Sequence, residues 1–141
     1  MAENKTRPGR AGVEGFIAKI KDPERRKDCD TLVKMMRKAT GARPVMWGSI
    51  VGFGDFHYLY ESGREGDWFQ MGFANRKPDL VLYVMDGLEP YEALLARLGR
   101  HRTGKCCLYI RRLADVHVGV LERILAISAR RISKRRDKPC S

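Results

Sequence analysis

Apolar positions along this chain recur with two periods, and the change from one to the other divides it into zones. Val13, Phe16, Ile17 and Ile20 fall at helical spacing, and Asp22-Pro23 ends that short segment. Asp22 can cap a second helix with Pro23 at its first position, where the missing N–H costs nothing. Cys29, Leu32, Val33 and Met36, with Met35 and Ala39 beside them, give that helix an inward stripe as far as Thr40, and Gly41 supplies its stop.

From Pro44 to Met85 the spacing shortens to that of strands. Four runs rich in β-branched and aromatic residues are cut by Ser62-Gly63, Glu65-Gly66 and Arg76-Lys77-Pro78, which predicts an antiparallel meander. Its strands are expected from about Trp47, over 55–61, over 67–73 and over 80–85, the last apolar enough to be covered on both faces. Gly48, Gly52 and Gly54 interrupt the first of these runs. Glycine weakens a strand, so they require a bulge, a sharp twist or the close approach of another group.

A third helix is expected over 89–98, a fifth strand over 106–111, and a long final helix from about Ala114. That helix carries Val116, Val120, Leu121, Ile124, Leu125, Ser128 and Ile132 on one stripe. Strands gathered between helices make the fold class α+β: an antiparallel sheet of about five strands with helices packed on one face. The expected organisation is a flexible N-terminal tail at 1–10, one domain over 11–130 and a basic C-terminal tail at 131–141.

Composition narrows the function classes. A hydrophobic fraction of 43% with 32% charged residues excludes a disordered chain. No apolar run reaches membrane length and none follows the basic N-terminus as a signal peptide would, so a cytoplasmic location is the expectation. Cys29, Cys106, Cys107 and Cys140 are expected to be reduced structural thiols. The net charge of +11 is uneven: residues 1–96 hold 15 Lys/Arg against 14 Asp/Glu, and residues 97–141 hold 13 against 3. Arg130, Arg131, Lys134, Arg135, Arg136 and Lys138 could therefore bind nucleic acid weakly and without sequence selectivity.

Candidate chemistry is sparse. Gly99 to Cys106 has the spacing of a phosphate-binding P-loop up to its last position, but it follows a helix and opens a strand, the reverse of the required order. Arg100, Arg102 and Lys105 remain a candidate anion-binding loop. His57, His101 and His117 lack mutual metal-ligand spacing, so no metal site is expected. Cys107 lies two residues from Lys105 on the same strand face, and that lysine could activate it in a cleft, whereas burial in a strand would leave it inert. Aromatic residues of the meander either fill the core or line a ligand pocket. Trp47, His57, Tyr58, Tyr60 and Trp68, with Arg76 and Lys77 at the strand ends, are the candidates for such a pocket.

Three blocks, MWGSIVGFGDFHYLYESGREGDW, GFANRKPDLVLYVM and TGKCCLYIRRLADV, with RRKDCDTLVKMM before them, resemble the YdhG-like family of bacterial domains of unknown function. The likeness spans about Val13 to Ser128 in order. It implies a frataxin-like or related two-layer sandwich, and some relatives in that family have been discussed as intracellular iron chaperones. An iron role would draw on Glu14, Asp22, Glu24, Asp28 and Asp30, which are diluted by nearby cations. The resulting expectation is a non-enzymatic module that binds a ligand or protein through the glycine-rich sheet edge, without a cofactor or catalytic residues. Iron binding and nucleic-acid binding by the C-terminal helix are the alternatives, with no membrane partner and a homodimer left open.

Overall fold

The computed structural model describes residues 12–59, 62–63 and 65–134. Two helices come first, α1 (Val13–Ala18) and α2 (Pro23–Thr40). The local chemistry is as expected: the Asp22 carboxylate accepts the Glu24 N–H at 3.0 Å, Pro23 opens α2, and Gly41, at φ 71°, ends it with its N–H on the Arg37 carbonyl.

Six strands, β1 (Pro44–Trp47), β2 (Ile50–Phe53), β3 (Phe56–Leu59), β4 (Glu65–Trp68), β5 (Met71–Asn75) and β6 (Leu80–Val84), occupy the meander region. After a 3₁₀ turn and α3 (Glu92–Leu95) come β7 (Arg102–Thr103) and β8 (Cys107–Ile110), and the final helix is α4 (Val118–Ile132). His117 caps α4 by accepting the Val120 N–H on its ring. Ile132 is fully buried, so α4 continues past 130, where the basic tail was expected to begin; residues 135–141 lie outside the described residues.

The fold is α+β, with a six-stranded antiparallel sheet in the order β1-β2-β5-β6-β8-β7 and helices packed against it. The count and the connectivity differ from the expected four-run meander followed by a fifth strand. The run 67–73 is two strands: β4 pairs with β3 in a separate two-stranded ribbon, and β5 enters the main sheet beside β2. The break falls at Phe69-Gln70, where the Gln70 N–H bonds the Phe53 carbonyl at 3.0 Å.

Side chains alternate across the sheet. Val51, Phe53, Met71, Phe73, Leu80, Leu82, Leu108 and Ile110 point inward to Leu32 and Met36 of α2 and to Leu121, Ile124 and Leu125 of α4, making the main core. The opposite, outer face carries a second cluster of Trp47, Ile50, Tyr58, Phe69, Ala74, Val81 and Met85. The β3–β4 ribbon folds over one end of that outer face. Among the described residues, no helix is long and apolar enough to cross a membrane.

Candidate functional site

The ribbon closes the β1–β2 end of the outer face. Trp47 and Tyr58, expected to open toward a ligand, are 2% and 3% exposed and belong to the core. Trp47 meets Phe69 edge-on at 5.7 Å, and Phe69 stacks on Trp68 at 4.7 Å. This corrects the pocket reading of Trp47 and Tyr58, and the reason is the glycine pattern. A Cβ on Gly52 would sit 2.5 Å from Trp47 Cδ1, and one on Gly72 would sit 2.8 Å from the Val51 carbonyl oxygen. The missing side chains let the rings lie on the bare sheet. Gly48 and Gly54 serve differently, as residues with φ of 64° and 77° in the connections.

His57 lies on the exposed side of the ribbon, where Nδ1 is 2.7 Å from Asp67 Oδ1 and Nε2 is 3.0 Å from Glu65 Oε2. The hydrogen bonds to Asp67 and then Glu65 raise its pKa above the ordinary histidine value. Trp68 is half-buried under the ribbon, and Tyr60 lies outside the described residues.

At the other end of the outer face no ribbon intervenes. Val81 and Tyr83 of β6 stand beside Tyr109 and Cys107 of β8, with Val81 opposite Tyr109 and Tyr83 opposite Cys107. They form the floor of a cleft of ≈ 330 Å³ whose rim includes Arg76, Lys77, Asp79 and Arg102. A second cleft of ≈ 430 Å³ shares Pro78, Asp79, Arg102 and Tyr109 with the first and adds Arg100, His101 and Arg111. The structure thus joins two groups nominated separately from sequence, Arg76 with Lys77 and Arg100 with Arg102. Lys105 is not part of it and lies in a different depression, with Glu89 and Glu92.

Several contacts position this surface. Arg102 pairs with Tyr109 across the β7–β8 ladder, its guanidinium carbon lies 4.8 Å above the Tyr109 ring centre, and it bonds Asp79 at 2.8 Å. The β5–β6 turn that carries Arg76 and Lys77 is held from α2. Arg25 donates to Asn75 Oδ1 at 2.9 Å, to the Arg76 carbonyl at 2.7 Å and to the Pro78 carbonyl at 2.6 Å. Arg25, on α2, is thus a clamp on the turn beside the site.

Cys29 and Cys107 are free thiols, as expected, whereas Cys106 is disulfide-bonded, which corrects the expectation for it; Cys140 lies outside the described residues. Burial pushes the Cys107 thiol up from its ordinary pKa, a bond with Tyr109 opposing it, so the neighbouring Lys105 does not activate it. The most closed polar cluster sits elsewhere. Asp86, 1% exposed, accepts from Tyr91 Oη, from Ser128 Oγ at 2.6 Å and from Arg131 Nε at 3.2 Å, tying α4 to the end of β6. Its oxygens are engaged by the protein itself.

Sequence reading missed Tyr109; it grouped Tyr83 with Arg76 and Lys77 but did not connect Cys107 or the Arg100–Arg102 loop with them. The available signal was the alternation in β8: Leu108 and Ile110 are fully buried, whereas Cys107 and Tyr109 on the other face are half-buried. Comparison of the chain with family models, curated proteins and solved structures found no match.

Proposed function

We propose that this chain is a non-enzymatic binding module that takes an anionic ligand with a planar group on the open half of its sheet. The observation that carries this reading is the pairing of chemistries there. Two tyrosines form a floor, and five Arg or Lys residues against one carboxylate, Asp79, line the two joined clefts. Rings take planar groups by stacking and convergent cations take negative charge, so the surface suits one ligand carrying both.

The binding role expected from sequence is thereby moved from the glycine-rich edge to the β6–β8–β7 end, because the glycines already hold the protein's own rings. We read the chain as YdhG-like from its sequence blocks, and the order of helices, six-stranded sheet and helix favours the frataxin-like sandwich as its fold. An iron role finds less support. Asp22 is spent capping α2, while Glu24 and Asp28 both bond Arg112, the latter at 3.0 Å.

The test uses adenosine monophosphate, planar and anionic, with backbone amide NMR of the full chain. Shifts confined to β6, β8 and the Arg102 loop, weakened about fivefold or more by Arg102→Ala, are the expected outcome. The absence of shifts there, or shifts confined to α2 on adding ferrous iron, would overturn the reading.

A further inference from the structure

We infer that the ligand of this surface is a single-stranded nucleic acid, held by base stacking on Tyr83 and Tyr109 with its phosphates on the surrounding cations. The inference rests on the site proposed above and names its occupant. Four features of the surface lead to it.

The first is the placement of the rings. Tyr83 is opposite Cys107 and Tyr109 is opposite Val81, so the two tyrosines are diagonal neighbours on adjacent strands of the same face. Diagonal positions lie about 7–8 Å apart, enough for two splayed bases but too wide for one base to cover both rings. Both tyrosines are half-buried, and the Arg102 guanidinium covers one face of the Tyr109 ring.

The second is Arg102, whose side chain is 71% exposed and lies over Tyr109. A guanidinium plane is itself a stacking surface for a base, and Asp79 fixes its position at 2.8 Å. Third, the cations gather along the strand end next to the rings: Arg76 and Lys77 at the β5–β6 turn, Arg111 beside Pro78, whose carbonyls Arg25 bonds together, and Arg100 just before β7. A strand whose bases lie toward the rings can run its phosphates along this row of cations.

The fourth feature is flatness, which selects against other polyanions. An acidic amphipathic helix needs apolar sockets at helical spacing, and this floor offers two rings and a guanidinium plane on one sheet. A duplex presents phosphates but hides the base faces that the rings would contact.

The experiment measures anisotropy of a labelled eight-residue oligouridine and its DNA counterpart with the full chain, against a duplex of equal length, poly-glutamate and adenosine monophosphate. Tyr83→Leu and Tyr109→Leu leave the net charge unchanged, so a purely electrostatic attraction to the basic C-terminal segment would not respond to them. The expected result is that each weakens single-strand binding about tenfold or more, while Tyr109→Phe stays within about twofold. Arg102→Ala, at an exposed position, does not depend on refolding of the core; it should weaken binding and lower the salt slope by about one. Should the leucine variants not fold, photo-crosslinking of a thiouridine oligomer to the native chain must label β6 or β8.

Single-strand binding insensitive to the tyrosines, crosslinks confined to residues 118–141, or equal binding of duplex or poly-glutamate would each overturn the inference. Adenosine monophosphate binding at this face, with the oligomers no tighter, would overturn it while leaving the broader ligand site standing. Failure of every probe to bind at this face would remove both.

Discussion

The outer face of the sheet carries aromatic rings at both ends, and the two ends have opposite fates. Over β1 and β2 the rings are sealed: Trp47 is 2% exposed and Phe69 fully buried, beneath the β3–β4 ribbon. Over β6 and β8 the rings of Tyr83 and Tyr109 remain half-open. What differs is the backbone beneath and the charge around. Gly52 and Gly72 leave a bare floor into which rings sink, whereas at the open end Arg102 sits on Tyr109 and the rim is cationic. Covering guanidinium groups with another layer of protein would strip their water without supplying enough carboxylates, which favours leaving this end exposed, as it is among the described residues. Phe69 meets Tyr83 edge-on at 5.7 Å, so Tyr83 marks the border between core and site.

The comparison predicts that substitutions at the sealed end damage stability and those at the open end damage binding. The largest stability effect is expected from Trp47→Ala, which removes a fully packed ring, at about 3–5 kcal/mol in chemical denaturation. Gly52→Ala comes next, because its added carbon would overlap the Trp47 ring and the Phe69 Cβ. A loss of about 1–3 kcal/mol is expected. Tolerance of Gly52→Ala without loss, by thermal or urea unfolding, would mean that the rings do not rest on the sheet as described.

Arg25→Ala should rank third, at about 1–2 kcal/mol, since the turn carbonyls it bonds would lose charge-assisted partners. It also sharpens the comparison, because Arg25 lies in the helical layer but holds the turn bearing Arg76 and Lys77. Ligand affinity should fall with stability in this variant, whereas in Trp47→Ala the surviving folded fraction should bind normally. Tyr109→Leu is the converse case. Its stability change should stay within about 1 kcal/mol, near the range of surface substitutions, while binding is lost.

How much of this was readable beforehand depended on the distance over which each feature is decided. The Asp22-Pro23 start and Gly41 stop of α2, the apolar run of β6 and the α4 stripe from Val120 onward are written in neighbouring residues, and the structure matches them, although α4 begins at Val118 rather than near Ala114, leaving Val116 outside it. The division of 67–73 was not readable. Trp68 and Phe69 form one apolar run, and only the Gln70 N–H on the Phe53 carbonyl, with the Gln70 amide on the Asp55 carbonyl, decides that the chain changes sheets there. Trp47 and Tyr58 were misplaced for the same reason, since a strand pattern does not say what folds over it. For the site, Arg76, Lys77, Arg100 and Arg102 could be nominated as exposed cations, but their meeting over Tyr109 follows from the β6–β8–β7 pairing of segments distant in sequence.

The smallest predicted effect concerns the ribbon that separates the two ends. His57 binds Asp67 and Glu65 through its two ring nitrogens, which only the protonated imidazolium can do as donor to both. These bonds raise its folded pKa above the unfolded value, so their contribution is fully present below about pH 6.5 and is lost as pH rises through the raised folded value. Because His57 is exposed, the effect should be small and weakened by salt. Raising the pH from about 6 to about 8 should speed amide exchange in β3 and β4, beyond the intrinsic pH factor, while leaving β6 and β8 unchanged. His57→Gln should make the ribbon indifferent to that change. Ribbon exchange that follows the intrinsic factor alone in the native protein would show that packing of Trp47, Trp68 and Phe69 holds the cover by itself, and that the line between sealed and open halves does not move with pH.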